Sequence, residues 1–535
     1  MSSIEKTALG APSIAVSAVS PAAVAAPVAI RTPRVGIHAW LLTVALLLVP
    51  IISYWPATFH DYGLRDDYSN LREAHEEPGT VLKFCASHAR PIYGLLLQAS
   101  YGHTASVQDL QWMRLIAALL LGTISLICFR SLRAFGWTFS ASICFAVLVG
   151  LVPSAQVIAG WAIGWPYAVA ALLAIGGFFA AEGAIAAGIG TNRSLAQWGV
   201  ALGLMVVSAL IYQPSALFYV VPLAASLVVQ RERNLAPSAR WVGVHLGFLV
   251  LALGTAYWLM TALYADGVFA KSGRIAFEQH WLEKFAWFLR EPLPNALSLF
   301  VLNDDNYRDH ALYLGCAGLV GLILTGGAIA EWRRHGRERG LIWLAGLLIL
   351  PVVAFSISMV ASERYATYRT IFAMTAVLLI FLVASFNALT ASLGLGARRM
   401  LAGAVLITAF FSAQHHAYAL LATPQGNEWE LILAGAQQVR LPQHHADTRP
   451  RIFAIVSSPN DKSTATTYHD EFGSLSSNSE WVPKEMFKRA MHDLHPELAN
   501  VDTRYEFAEG VKLPVGQRYD VIIDMHRLRR AYTDN

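Results

Sequence analysis

A polytopic α-helical membrane protein closed by a small soluble α/β domain is the fold class this sequence predicts, on three observations. The 535 residues are 55% hydrophobic and only 14% charged, with a mean hydropathy of +0.45. Soluble domains carry about 25% charged residues, so most of this chain is written for a bilayer. Apolar runs long enough to cross a hydrocarbon layer of about 30 Å recur along it. Arginines gather in alternate connections between those runs, the asymmetry that orients membrane proteins.

Residues 1–34, rich in Ala, Pro, Ser and Val, read as a disordered cytoplasmic N-terminus. The first apolar run starts near Gly36 and continues to Trp55. It is too long for the apolar stretch of a cleaved signal peptide and reads as an uncleaved first helix. About eleven spans are expected, at 37–57, 112–132, 138–152, 157–181, 197–213, 215–230, 241–263, 310–330, 340–360, 369–386 and 400–421. One set of connections holds Arg31 and Arg34; Arg130 and Arg133; Arg193; Arg231, Arg233 and Arg240; Arg333, Arg334, Arg337 and Arg339; and Arg398 and Arg399. The short turns expected near Pro153 and Pro214, on the other side, hold neither Lys nor Arg. The N-terminus is therefore expected in the cytoplasm.

This orientation makes 35–421 a transmembrane module with two outside loops, 58–111 and 264–309, and puts the tail, 422–535, outside as well. The tail has ordinary soluble composition. A helical pattern at Trp429–Arg440 and two apolar strands, Arg451–Val456 and Tyr519–Asp524, make it a small α/β domain.

Several function classes drop out. A net charge of +4, with no basic run interleaved with aromatics, gives nucleic acid nothing to bind. Cys128, Cys144 and Cys316 fall in apolar runs and Cys85 stands alone, so neither a disulfide scaffold nor a zinc spacing is present. There is no phosphate-binding Walker loop and no GxSxG nucleophile elbow. Acids are nearly absent from the spans, which argues against a proton-coupled carrier.

The candidate chemistry lies in the loops. Asp66 and Asp67 stand side by side about ten residues beyond the first helix. A carboxylate there can act as general base toward an acceptor hydroxyl. A neighbouring acid can raise its pKa or help hold a divalent cation. A solvated polar loop is the plain alternative.

Ala89-Arg90-Pro91-Ile92-Tyr93 leads into an apolar stretch too short to span, which suits an interfacial helix. Arg114 then opens a true span. Guanidinium forks at Arg90 and Arg114 match phosphate geometry, and interfacial snorkelling explains them equally. Ser362-Glu363-Arg364-Tyr365-Ala366-Thr367-Tyr368-Arg369-Thr370 sets two arginines against the charge bias of its side of the membrane. That makes the segment a functional candidate.

The loop 264–309 mixes Lys271, Arg274, Glu278, His280, Glu283, Lys284 and Arg290 with tryptophans. That mixture suits an interfacial amphipathic helix better than a sugar platform. His444-His445-Ala446-Asp447 reads as a solvated turn, and Tyr212-Gln213-Pro214 as a break between two helices.

In order and spacing, Asp66-Asp67-Tyr68, then Ala89-Arg90-Pro91-Ile92-Tyr93, then Arg114 resemble the GT-C superfamily of membrane glycosyltransferases. Those enzymes follow an acidic pair with an interfacial helix and an arginine at the second true span. Asp-Asp-Tyr, Tyr-Gln-Pro and Arg-Tyr-Ala-x-Tyr-Arg make the chain most similar to bacterial O-antigen glucosyltransferases that use polyprenyl-phosphate sugars.

The resemblance implies an inverting transfer in the bacterial inner membrane, with the C-terminal domain periplasmic. Asp66 and Asp67 would be catalytic, Asp66 as base and Asp67 orienting it, with the pair as possible ligands of Mg or Mn. Arg90, Arg114, Arg364 and Arg369 would bind donor phosphate, and Tyr68, Tyr93 and Tyr365 the substrates. The implied partners are a polyprenyl-phosphate-linked sugar, an envelope glycan or lipid-linked acceptor, and membrane lipids. The tail departs from that group, whose members end soon after the last helix. A lipid-linked glycan polymerase or flippase, working without a catalytic base, is the rival reading.

Overall fold

In the computed structural model, residues 37–188, 190–229, 234–273, 275–303, 310–439, 451–457, 468, 470–479, 481–496, 503–509 and 519–525 are described. The N-terminal stretch 1–34 and the His444–Asp447 turn lie outside them.

Helix α1 (Ile37–Thr58) is apolar throughout. Three short helices fold the loop that follows: α2 (Asp66–Glu76), α3 (Thr80–Ser87) and α4 (Pro91–Gly102). Helix α4 buries Tyr93, Leu97 and Tyr101, one every fourth residue, and leaves Leu95 exposed. That is the amphipathic pattern of a helix too short to span. Helix α5 (Leu110–Phe135) returns along α1 so closely that a Cβ on Gly122 would stand 2.5 Å from the Leu47 carbonyl oxygen. Gly136, at φ +98°, stops α5 in a left-handed cap. Thr138 starts α6 (Phe139–Val149) by accepting the Ala141 N–H.

Helix α6 bends 47° into α7 (Pro153–Gly160). Every residue from 151 to 164 is buried. The chain does turn just before Pro153, as expected, and the uncharged stretch that follows is packed against other elements.

Helices α8 (Trp165–Ala187), α9 (Asn192–Ala216) and α10 (Val220–Val229) follow. The 38 residues from Asn192 to Val229 form one helical stretch broken at Tyr212, which has φ −156° and ψ 107°. Tyr212 stacks on Tyr167, with ring centroids 4.0 Å apart. Tyr219 instead meets Phe178, further down α8, at 5.6 Å. The chain therefore reverses at the break and crosses twice.

Helix α11 (Leu235–Ala265) leads to a second loop with α12 (Trp281–Arg290) and α13 (Pro292–Leu297). Helices α14 (His310–His335), α15 (Arg337–Val353), α16 (Ser356–Val360) and α17 (Phe372–Leu389) complete the middle of the bundle. Helix α18 (Leu395–His415) passes through a π-helical segment, His416–Ala422, into α19 (Thr423–Ala436). These 42 residues span about 63 Å, twice the hydrocarbon thickness. The boundary expected at 421/422 thus falls inside one continuous helix.

Among the described residues, eight helical stretches are long and apolar enough to cross a membrane, nine with the bent α6–α7 pair. About eleven were expected; Asn192–Val229 counts once here, and α15, at 17 residues, falls just short. The protein is a multi-pass helical membrane protein.

The tail forms a three-stranded parallel sheet of β1 (Arg451–Ser457), β2 (Thr503–Glu509) and β3 (Val521–Asp524), ordered β2-β1-β3. Strands β1 and β3 match the sequence expectation; β2 was not expected. Helix α20 (Val482–Leu494), between β1 and β2 in the chain, packs against α2 and α19. Arg72 of α2 donates to Glu485 at 2.7 Å. The tail is docked on the first loop.

Candidate functional site

Arg114 organises the chain just beyond α1. Its Nε donates to Thr58 O at 3.1 Å, Nη1 to Tyr62 O at 2.8 Å and Nη2 to His60 O at 2.7 Å. Its guanidinium also stacks over the Tyr62 ring at 4.1 Å, and the side chain is wholly buried. Buried carbonyls need donors, and this arginine supplies three at once. The expectation that Arg114 grips donor phosphate is corrected: its fork is taken up by backbone.

The collar so formed delivers the acidic pair. Arg65, at φ +41°, precedes Asp66, which opens α2 half-exposed. Asp67 is fully buried, its carboxylate accepting the Leu64 N–H at 2.8 Å and the Tyr101 hydroxyl. Burial pushes its pKa up to about 7, against the opposing pull of Tyr101, Leu64 and Arg114. Both Asp67 oxygens are engaged, and among the described residues no group of three or more His, Cys, Asp or Glu is placed to hold a metal ion. The pair does not fit the divalent-cation site expected of it. Tyr68 is also fully buried, its hydroxyl accepting the Gly63 N–H and its ring packed on Trp429 at 5.4 Å. That packing corrects its assignment to substrate.

Arg90 and Arg369 do converge. The rings of Tyr93, Tyr167 and Tyr212 form a continuous stack, with centroids 5.3 Å and 4.0 Å apart. Tyr93 Oη lies 2.9 Å from Tyr167 Oη, and Tyr93 is buried inside the stack. Arg90 caps it, 4.8 Å over Tyr212, with its Nε donating to Gln213 Oε1 at 3.2 Å. Gln213 in turn donates to Ala89 O at 2.8 Å, so the Tyr-Gln-Pro break holds the Arg90 segment. Arg369 sits within electrostatic reach of both Tyr167 and Tyr212. Its guanidinium lies 4.5 Å over Trp161 and 5.7 Å over Tyr365, which is part-exposed. Its Nη2 donates to the Tyr365 hydroxyl, and its buried Nη1 has no hydrogen-bond partner among the described residues.

A turn of the tail closes this cluster. Glu471, 1% exposed, lies 3.1 Å from Arg65 Nη1 and 3.6 Å from Arg369 Nη1. Burial, with Asp470 beside it, pushes its carboxyl above the usual carboxylate range despite the two arginines. Asp470, at φ +68°, accepts the Tyr368 N–H at 2.9 Å. The turn is anchored by Glu428, which accepts the N–H groups of Ser476 and Ser477 at 2.9 Å each. Arg364 stands apart: 44% exposed, it pairs with Glu283 of α12 at 2.9 Å.

The structure thus joins Arg65, Arg90, Arg369 and the tyrosines, and gives Arg114, Tyr68 and Arg364 other tasks. Sequence reasoning missed Arg65, Trp161, Tyr167, Gln213 and Glu471. Arg65 adjoins the acidic pair and Gln213 lies in a motif, so each had a local signal. Glu471 had none.

No family model matches the chain, and no curated protein sequence does. Solved structures of the oligosaccharyltransferase of the archaeon Archaeoglobus fulgidus are similar to it. One, with Zn and sulfate, is 13% identical with a TM-score of 0.38, covering 78% of this chain and 60% of that one. A second, bound to an inhibitory peptide and a dolichol-phosphate, is 13% identical with a TM-score of 0.40, and the apo form is 12% identical with the same score. Each of these two covers 78% of this chain and 62% of its own. The chain thus spans about 60% of their length, and a likeness of this size transfers no residue roles.

Proposed function

We propose that this protein is an inverting glycosyltransferase that moves a sugar from a polyprenyl-phosphate donor to a cell-envelope glycan, with Asp66 as base and Arg90 and Arg369 on the donor phosphate. The observation that carries this reading is the meeting of Arg90 and Arg369 on one stack of tyrosines. Glu471 ties that cluster to Arg65, the residue before Asp66. A guanidinium whose Nη1 makes no hydrogen bond among the described residues, and only a 3.6 Å approach to Glu471, is suited to an acidic ligand, and aromatic faces beside it suit a sugar ring.

In the step proposed, the acceptor oxygen bonds to the anomeric carbon while the bond from that carbon to the phosphate oxygen breaks. The acceptor proton passes to the Asp66 carboxylate. The electron pair leaves with the lipid phosphate, whose charge Arg90 and Arg369 balance. Asp67 and Tyr101 hold the first turn of α2 in place.

The arginine asymmetry supports a cytoplasmic N-terminus, which in the bacterial inner membrane of this proposal puts this end of the bundle, tail included, in the periplasm. The test is transfer of radiolabelled sugar from polyprenyl-phosphate donor in membranes. Asp66→Asn keeps the side chain's size but cannot take the proton, and the rate should fall roughly 10²–10⁴-fold. Transfer at the wild-type rate would remove Asp66 as the base and move the polymerase or flippase reading ahead.

A further inference from the structure

Helix α12 has three faces. Lys284 and Phe288 point inward and are buried. Glu283 and Arg290 occupy a polar flank, where Glu283 pairs with Arg364. The third face is apolar and uncovered: Leu282 is 89% exposed, Trp281 53%, and Phe285 and Leu289 47% each. These four positions recur at helical spacing and form one stripe. In water such a stripe is costly, at about 25 cal/mol for each Å² of apolar surface.

The chain just before the stripe packs on α11, a spanning helix with an exposed apolar face. Beside it Phe277, also exposed, packs on Tyr257 near the end of α11, with ring centroids 5.6 Å apart. Trp258 next to Tyr257 is 68% exposed, and Val250 and Leu251 lie open on the same spanning helix. Aromatic residues at the end of a span form the belt at headgroup level.

The inner side of the loop is fastened to the arginine-bearing segment after α16. Glu278 N donates to Val360 O at 2.8 Å, and Ser362 N to Ala276 O at 2.9 Å. Lys284 Nζ donates to Glu363 O at 2.8 Å.

We propose that α12 is a membrane-surface helix: Trp281, Leu282, Phe285 and Leu289 lie in the boundary between headgroups and acyl chains, and the helix holds the segment Val360–Arg369 at that depth. The partner is the lipid surface itself, and the proposal rests on the spanning bundle alone, whatever reaction the protein performs. The commitment to lipid comes from the continuity with α11.

The experiment uses the full chain in nanodiscs, carrying Cys144→Ala and Cys316→Ala, with a nitroxide on Leu282→Cys, Phe285→Cys or Arg290→Cys in turn. Collision rates with oxygen, which partitions into lipid, are compared with those of a water-soluble nickel chelate. At 282 and 285 oxygen should dominate by roughly twofold or more, and at 290 the chelate should. Chelate-dominated collisions at 282 would put the stripe in water and overturn the proposal. Low collision with both reagents would mean that protein covers the stripe, and overturns it equally.

Discussion

Two buried arginines stand at the same end of this bundle, and their surroundings differ. Around Arg114, three nitrogens donate to three backbone carbonyls and the side chain has no exposure. Around Arg369, Nη2 donates to the Tyr365 hydroxyl, the guanidinium lies over Trp161 with one carboxylate at 3.6 Å, and among the described residues Nη1 has no hydrogen-bond partner. A buried donor without a partner costs about 1–3 kcal/mol, so such a group persists in a fold when something else requires it. On the function proposed above, the contrast separates a clamp from a binding group: Arg114 holds the loop that carries Asp66, and Arg369 would face the donor.

The largest effect should come from breaking the clamp. Arg114→Ala leaves three carbonyls in a dry site without donors, a loss of several kcal/mol against a typical stability of 5–15 kcal/mol. The variant should fail to run as a single species in size-exclusion chromatography. Arg114→Lys should fail too, because one ammonium cannot serve three fixed carbonyls. A monodisperse Arg114→Ala protein would erase the distinction drawn here.

Arg369→Ala should behave in the opposite way, eluting as wild type while transfer falls about 10²–10³-fold, the usual cost of one stabilising donor. Arg369→Lys should recover part of the rate, since it keeps the charge and loses the fork. Aggregation of Arg369→Ala would make it a second clamp.

Asp67 sharpens the comparison through pH. Its folded pKa of about 7 lies above the ordinary 3.8, so the folded chain holds this proton more tightly than the unfolded chain does. The stability it contributes is complete below about pH 4 and is lost as pH rises toward about 7, at about 1.4 kcal/mol per pH unit. Asp67→Asn lacks that titration. The Tm difference between variant and wild type should therefore move in the variant's favour across this window. A constant difference would mean that Asp67 is ionised throughout.

The smallest effect belongs to Arg364. Its pair with Glu283 joins partners 44% and 66% exposed, and such pairs contribute up to about 1 kcal/mol. Arg364→Ala should change transfer by about fivefold or less. A loss as large as that of Arg369→Ala would bring Arg364 back among the phosphate ligands.

The apolar passes were legible in the sequence, and Arg90 and Arg369, which the structure brings near the same tyrosines, stood out there as arginines in unusual places. A bilayer demands about twenty apolar residues in a row and biases arginine to one side, and both constraints are written locally. Strands β1 and β3 were legible for the same reason, as short apolar runs in a polar tail.

Packing decided the rest. No local pattern says that 151–164 is buried throughout, or that the last helix runs unbroken through His416–Ala422 into the tail. Nor does one say that Tyr167 and Tyr212, from two helices, stack between Arg90 and Arg369. Arg114 was visible as an arginine opening a span, but which acceptors its fork would meet depended on how the chain after α1 folds back over it. Glu471 lies 406 residues from Arg65 and reaches it only because the tail docks on the first loop. Hydrophobicity is a property of a stretch of chain and survives in one dimension; the convergence of side chains exists only once the helices have packed.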